Sequence, residues 1–392
     1  YLRWKDIREG MPKTWALLDT AGLANMNPDS GARPGPALGY NGAALTLSSG
    51  ALVSGAVPPG AAYSAEETVG TETAAEAWAR TGGTSGTGGA ALPPIVYPRF
   101  SILQRQMSKS GAEARIGALG SAIIDQGGST AAFGNSDLEA DGVLTRWRPA
   151  GLVAMDLTGA TWLGNVSSGS LVDDPTSAYR VRTDVNWLVD ASEAARSQPG
   201  GSSLVVVDTG DLARAHAAAA RRRPGAGESM WRTALEGLDT VVSRLVQSRG
   251  AFDTVMLVSP VSLETSNSVG GLTPAIVWKG RSTPAKAHLL ESASTHRTGL
   301  VTNFDVPVTI LNQLGLKVPS SMIGAPMRRG GDMPARAAVE QLERDSAAAV
   351  AIDGGKPALQ TTYIVIATLL VLVVPVLVRW NLARGSIARV LQ

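Results

Sequence analysis

The chain has 392 residues, 44% of them hydrophobic, which is enough for one large α/β domain plus an appendage. A formal net charge of +2, from 35 Lys and Arg against 33 Asp and Glu, argues against a nucleic-acid partner, whose phosphates demand a basic surface. Cysteine is absent, which removes disulfides, thiolate metal sites and cysteine nucleophiles in one step.

Between Gly31 and Pro94 the chain is rich in Gly, Ala, Ser and Pro, with Thr81–Ala90 a flexible tract that belongs on the surface. Glu66, Glu67, Glu72 and Glu76 fall at spacings that suit a solvated face. From Ile116 the sequence predicts a helix with Leu119, Ile123 and Ile124 as its apolar stripe, a stop at Gly127–Gly128 and a strand over Ala131–Phe133. Gly151–Gly159 reads as a further strand with Asp156 at its end. Helix, glycine and strand then recur twice, as Asp184–Arg196, Gly200–Gly201 and Ser203–Val207, and as Trp231–Gln247, Gly250 and Thr254–Val258. Ala275–Trp278 adds one more strand.

This order predicts an α/β sandwich with a mainly parallel central sheet, with strand ends at Asp156, Asp208, Ser259 and Trp278 on one edge. Ligands of such sheets gather beyond the carboxyl ends of the strands, which selects Asp208 and Asp211 and, after the next strand, Ser259 and Pro260. Two carboxylates at i and i+3 suit one hard cation such as magnesium or manganese; the same residues also suit a cap or turn. Only three histidines exist: His216, His288 and His296.

Leu272–Gly324 pairs a short apolar strand, LTPAIVWKG, with a helix entry at Asp305, Pro307, Thr309 and Leu311 and an exit at Gly315. That block resembles the C-terminal part of the alkaline phosphatase superfamily, which spans phosphatases, sulfatases and cofactor-independent phosphoglycerate mutases. The opening Leu2-Arg3-Trp4 resembles the exit of the superfamily's first strand, and Met11-Pro12 with Trp15, Leu17 and Leu18 the helix that follows it, so the resemblance implies a strand and a metal-binding Asp just ahead of Tyr1. It also implies a nucleophile loop at Ala44–Gly50, with Thr46 or Ser48 as the nucleophile, and metal ligands at Asp208 and Asp211. A Ser/Thr-rich turn is the plain alternative for Ala44–Gly50.

The sequence departs from the superfamily at its metal centre. Leu212 stands where a mutase-like pattern has His, and Ser259-Pro260 replaces the Asp-His pair that both bind metal. The expectation is therefore a non-catalytic domain that binds an envelope component or membrane partner. The alternative is a divergent metal-dependent hydrolase of phosphate or sulfate esters, with one divalent cation.

Residues 1–345 form the expected domain and 346–356 a linker. Residues 357–378, PALQTTYIVIATLLVLVVPVLV, carry no charge and would rise about 33 Å as a helix, enough to cross a lipid bilayer. Arg379, Arg384 and Arg389 follow it, which predicts a cytoplasmic basic tail at 379–392 and a large domain outside the cell membrane. An exported domain needs a signal ahead of Tyr1. The preference for Arg over Lys and the abundance of Ala and Gly suit a GC-rich bacterial genome.

Overall fold

In the computed structural model the described residues are 2–28, 36–53, 61–83, 92–109, 114–198, 203–219, 226–262, 271–280 and 286–390. They divide into two units: Tyr1–Leu263 with Leu272–Glu343, and Glu264–Gly271 with Arg344–Gln392. The first unit is mixed α/β. Its two main sheets use β1 (Gly22–Asn27), β2 (Ser129–Phe133), β3 (Leu163–Asn165), β4 (Ser203–Val207), β5 (Thr254–Val258), β6 (Thr273–Lys279), β7 (His288–Glu291), β8 (Leu300–Thr302) and β9 (Arg328–Asp332).

The larger sheet runs β5-β6-β1-β7-β9, with β8 also paired to β1. Strand alternation sends successive side chains to opposite faces, and this sheet shows it plainly. Leu23, Ile276, Trp278 and Leu289 pack on one face with Trp4, Ile7 and Leu235. Ala24, Ala275, Val277 and Leu290 pack on the other with Leu45, Leu119 and Leu311. Helices cover both faces, so the sheet is the middle layer of a sandwich. Trp278 is fully buried and its indole N–H donates to the Leu17 carbonyl at 2.9 Å, so its burial, worth on the order of 1.5–3 kcal/mol, leaves no polar atom unpaired.

The smaller sheet, β3-β2-β4, is parallel throughout. Its strands Ser129–Phe133 and Ser203–Val207 lie where helix–glycine–strand periodicity predicts them. The larger sheet departs from the expected parallel order, with three antiparallel and two parallel pairings among the described residues. The difference has a local cause. β5 and β6 follow one another in the chain with no helix among the described residues between them, and they pair antiparallel. Val255 consequently faces Trp278, which puts Trp278 at the opposite edge from Ser259.

Gly151–Gly159 is also not a strand. Pro149 opens a helix, Pro149–Ala154, in which Ala150 to Ala154 are all buried. A short run that is apolar on every side carries no period to separate strand from helix, and proline at the first turn favours the helix. The Asp156 carboxylate closes the turn beyond it, accepting from the backbone of Thr158 and Ala160 and from the Trp162 indole.

The helix Asp305–Gln313 is fixed by its first residue. Asp305 accepts from the Thr302 N–H and the Ala325 N–H, both at 2.9 Å, and from the Ser294 hydroxyl at 2.5 Å, so one buried carboxylate joins three segments. Gly315 beyond the helix has a φ of +70°, as a left-handed C-terminal stop requires.

In the second unit the helix Ala335–Val390, which starts in the first, continues from Arg344. Among the described residues no helix is long and apolar enough to cross a membrane. Within the expected span 357–378, the side chains of 357–359, 377 and 378 lie outside the described residues. The flanking basic side chains Arg384 and Arg389 lie outside them too. Between these limits Tyr363, Ile364, Val365, Ile366, Val371 and Leu372 are all more than half exposed.

Candidate functional site

The carboxyl ends of β4 and β5 open onto a groove with a cavity volume of about 230 Å³. Val207 to Gly210 come from the first strand end and Val258 to Val261 from the second. Ala44, Leu47, Pro149 and Val153 line one face, and Leu238, Val241, Val242 and Leu245 the other. The walls are thus apolar, and polar groups gather at the rim.

At that rim Asp208 accepts the Ser136 hydroxyl at 2.7 Å and the Gly210 N–H at 3.0 Å. Surrounding atoms enclose the carboxylate and desolvation pushes its pKa up, against the opposing pull of the Ser136 hydrogen bond and the nearby Arg214 charge. The residue as a whole is partly exposed and lines the groove. Ser259 accepts the Leu2 N–H at 3.1 Å and donates to the Val261 carbonyl at 3.1 Å.

Asp211, the other predicted ligand, points into a different network. It accepts from Arg214 at 2.7 Å and from the Thr183 N–H at 3.1 Å. Arg214 has no solvent exposure and donates further to the carbonyls of Asn135, Asp137 and Thr209. That guanidinium holds together the loops after β2 and β4, so Asp211 balances a buried charge.

Thr46 and Ser48 are placed elsewhere again. The segment Ala44–Gly50 is the end of a helix, Pro36–Ser49, and Gly50 with a φ of +66° terminates it. Ala44 and Leu47, three residues apart, face the groove, whereas Thr46 and Ser48 do not line it. The Ser48 hydroxyl accepts the Gly117 N–H at 3.0 Å, and the Thr46 hydroxyl the Val53 N–H at 3.4 Å, both fully buried. Thr46, Ser48 and Asp211 are thus hydrogen-bonded to partners other than Ser136 and Gly210, which serve Asp208. Among the described residues no group of three or more His, Cys, Asp or Glu is arranged to hold a metal ion.

The histidines occupy separate elements. His216 lies on the helix Asp211–Ala219, His288 on β7 and His296 in the turn after it, at a φ of +53°. Burial lowers the pKa of both His216 and His288.

Sequence reasoning did not single out Ser136, Arg214 or Arg148. Arg148 is 2% exposed and forks between Asp137, at 2.7 Å, and Glu67. Glu67, read as part of a solvated face, is the partner of that buried guanidinium, while Glu72 pairs with Arg80 and Glu76 completes a capping box with Thr73. An Arg directly ahead of Pro149 in an apolar run was the available signal for the buried cation. Neither a protein-family model nor a curated protein sequence matches the chain.

Proposed function

We propose that this protein is a membrane-anchored, non-catalytic α/β domain of alkaline phosphatase-like architecture that binds a component of the cell envelope, held outside the membrane with its C-terminus in the cytoplasm. The observation that carries the non-catalytic part is the commitment of the candidate catalytic oxygens. Asp208 serves Ser136 and Gly210, Asp211 serves Arg214, and Thr46 and Ser48 serve backbone donors in the interior. A hydrolytic centre needs a nucleophile and charge-stabilising groups convergent on one point, within about 2.0–2.6 Å of any cation they share. The open, apolar groove at the strand carboxyl ends instead suits binding.

The membrane part is supported by the uncharged run 357–378 and by the exposure of its apolar side chains on all sides of a helix. A lipid bilayer is the partner that relieves that exposure.

Metal titration with magnesium, manganese and zinc, together with monoester, diester and sulfate-ester assays, tests the reading against the Asp208→Ala variant. Equal, negligible binding and turnover in both proteins is the expected result. Metal-dependent turnover that disappears in Asp208→Ala would establish the hydrolase instead.

A further inference from the structure

A second groove lies at the other end of the larger sheet. Its lining includes Arg8, Trp15, Asp19, Ala335, Arg336 and Glu340, and its cavity volume of about 780 Å³ suits a small-molecule site. Its position follows from the strand directions. β5 and β1 both run against β6, so the two point the same way, and the residues just ahead of β1 stand at the opposite end of the sheet from the carboxyl end of β5. β9 runs against β7, which is parallel to β1, so β9 ends there too and leads into the helix that starts at Ala335. The lining falls wholly within the first unit, and none of it is shared with the groove at the strand carboxyl ends.

Two local features build the walls. Asp239 accepts the N–H groups of Lys13 and Thr14, at 3.1 and 2.7 Å, and so fixes the helix Pro12–Ala16 that carries Trp15. Ala338, Val339 and Leu342 pack into the core from the helix that starts at Ala335, which leaves Arg336 and Glu340 on its outer side, 86% and 51% exposed. Trp15 packs against that core and is only half-buried. Among the described residues the indole N–H groups of Trp4, Trp78, Trp162, Trp231 and Trp278 all donate to protein acceptors, whereas that of Trp15 has no partner. Asp19 is exposed and makes neither a hydrogen bond nor an ion pair through its side chain. Arg336 pairs with Glu340 in solvent, so exchanging that contact for another costs little. Two guanidinium groups and two carboxylates cancel, which gives the groove no net charge to draw an anion or a cation. Each instead offers paired donors or acceptors in one plane, beside an aromatic ring. The matching ligand has an apolar C–H face for the indole and neighbouring hydroxyls, each both donor and acceptor, around its edge. We propose that this groove binds a neutral saccharide, stacked on Trp15 and held through its hydroxyls by Asp19, Arg336 and Glu340. The site stands apart from the strand-end groove and does not depend on how that groove is read.

The test is calorimetric titration of the full chain, in a detergent without a sugar head group, with neutral oligosaccharides of glucose, mannose, galactose, arabinose and N-acetylglucosamine. At least one should bind in the millimolar range or tighter. Trp15→Ala should weaken that binding about tenfold or more, while Trp15→Phe, which keeps an aromatic face, retains most of it. Asp19→Ala removes an exposed side chain that supports nothing in the fold, and should weaken binding about threefold or more. Failure of every oligosaccharide to bind would overturn the proposal. So would binding that neither Trp15→Ala nor Asp19→Ala alters, which would place the sugar elsewhere on the molecule. Tighter binding of a uronic-acid oligosaccharide than of its neutral counterpart would overturn the assignment of a neutral ligand.

Discussion

Arg148 shows how a single charge is tied to the fold. It is 2% exposed, with Asp137 and Glu67 as its carboxylate partners. Burial works against the charged guanidinium, but its two carboxylates outweigh that and keep its pKa raised. Asp137 is pushed up by burial and pulled back by Arg148. Arg148→Met should cost about 3–5 kcal/mol at neutral pH, because it strands two carboxylates in the interior. Loss of the cation raises the Asp137 pKa further above its unfolded value. The deficit should therefore grow as pH rises through that interval and shrink in acid, where the carboxylates are protonated. Urea unfolding at pH 7 and at pH 4 measures the difference, and an equal deficit at both would contradict the assignment.

Asp208 supplies a second pH-dependent expectation. Its folded-state pKa is raised, chiefly by desolvation. A raised folded pKa favours the protonated form, so the associated stability is complete below the unfolded value, about 3.9, and is lost as pH rises through the folded value. Asp208→Asn should remove that slope. Melting curves from pH 3 to pH 7 should show the wild type falling relative to the variant as pH increases.

At the scale of elements, the turn after β4 depends on Gly210, whose φ of +68° is left-handed. A Cβ there would lie 1.9 Å from the Asn135 carbonyl oxygen, a backbone atom that cannot easily yield. Gly210→Ala should cost about 1–3 kcal/mol, measured by denaturant unfolding, from strain combined with crowding.

Helices and strands with a clear period were legible before the structure. Asp184 caps Val185–Arg196 through the N–H groups of Asn186 and Trp187, and Thr254–Val258 is a strand with the expected boundaries. The short apolar runs were not legible in the same way. Ala44–Gly50 reads as a loop because Ser and Thr favour turns, yet Ala44, Leu45 and Leu47 are buried in a helix. Gly151–Gly159 reads as a strand because a run apolar on all sides has no period.

For the whole molecule, the segment 357–378 sets the strongest expectation. Replacing Leu370 and Val371 together by Arg should shift the protein from the membrane fraction toward the soluble one, since each central Arg costs about 2.5–3.5 kcal/mol on insertion. Protease added to intact cells should cleave the large domain and spare the tail beyond 379. Cleavage of the tail with protection of the domain would reverse the orientation.

The sequence by itself determined the α/β class, the positions of the periodic helices and strands, and the uncharged run near the C-terminus. Each is a local property, carried by side-chain spacing, glycine stops and hydropathy within a few tens of residues. Only the tertiary structure decided that β5 and β6 pair antiparallel, that Glu67 neutralises a buried Arg, and that Thr46, Ser48 and Asp211 each take partners of their own. Sequence spacing fixes which residues share a strand or a helix turn. Which oxygen meets which donor depends on how distant elements pack, because each buried polar group takes the partner that the completed fold brings within reach.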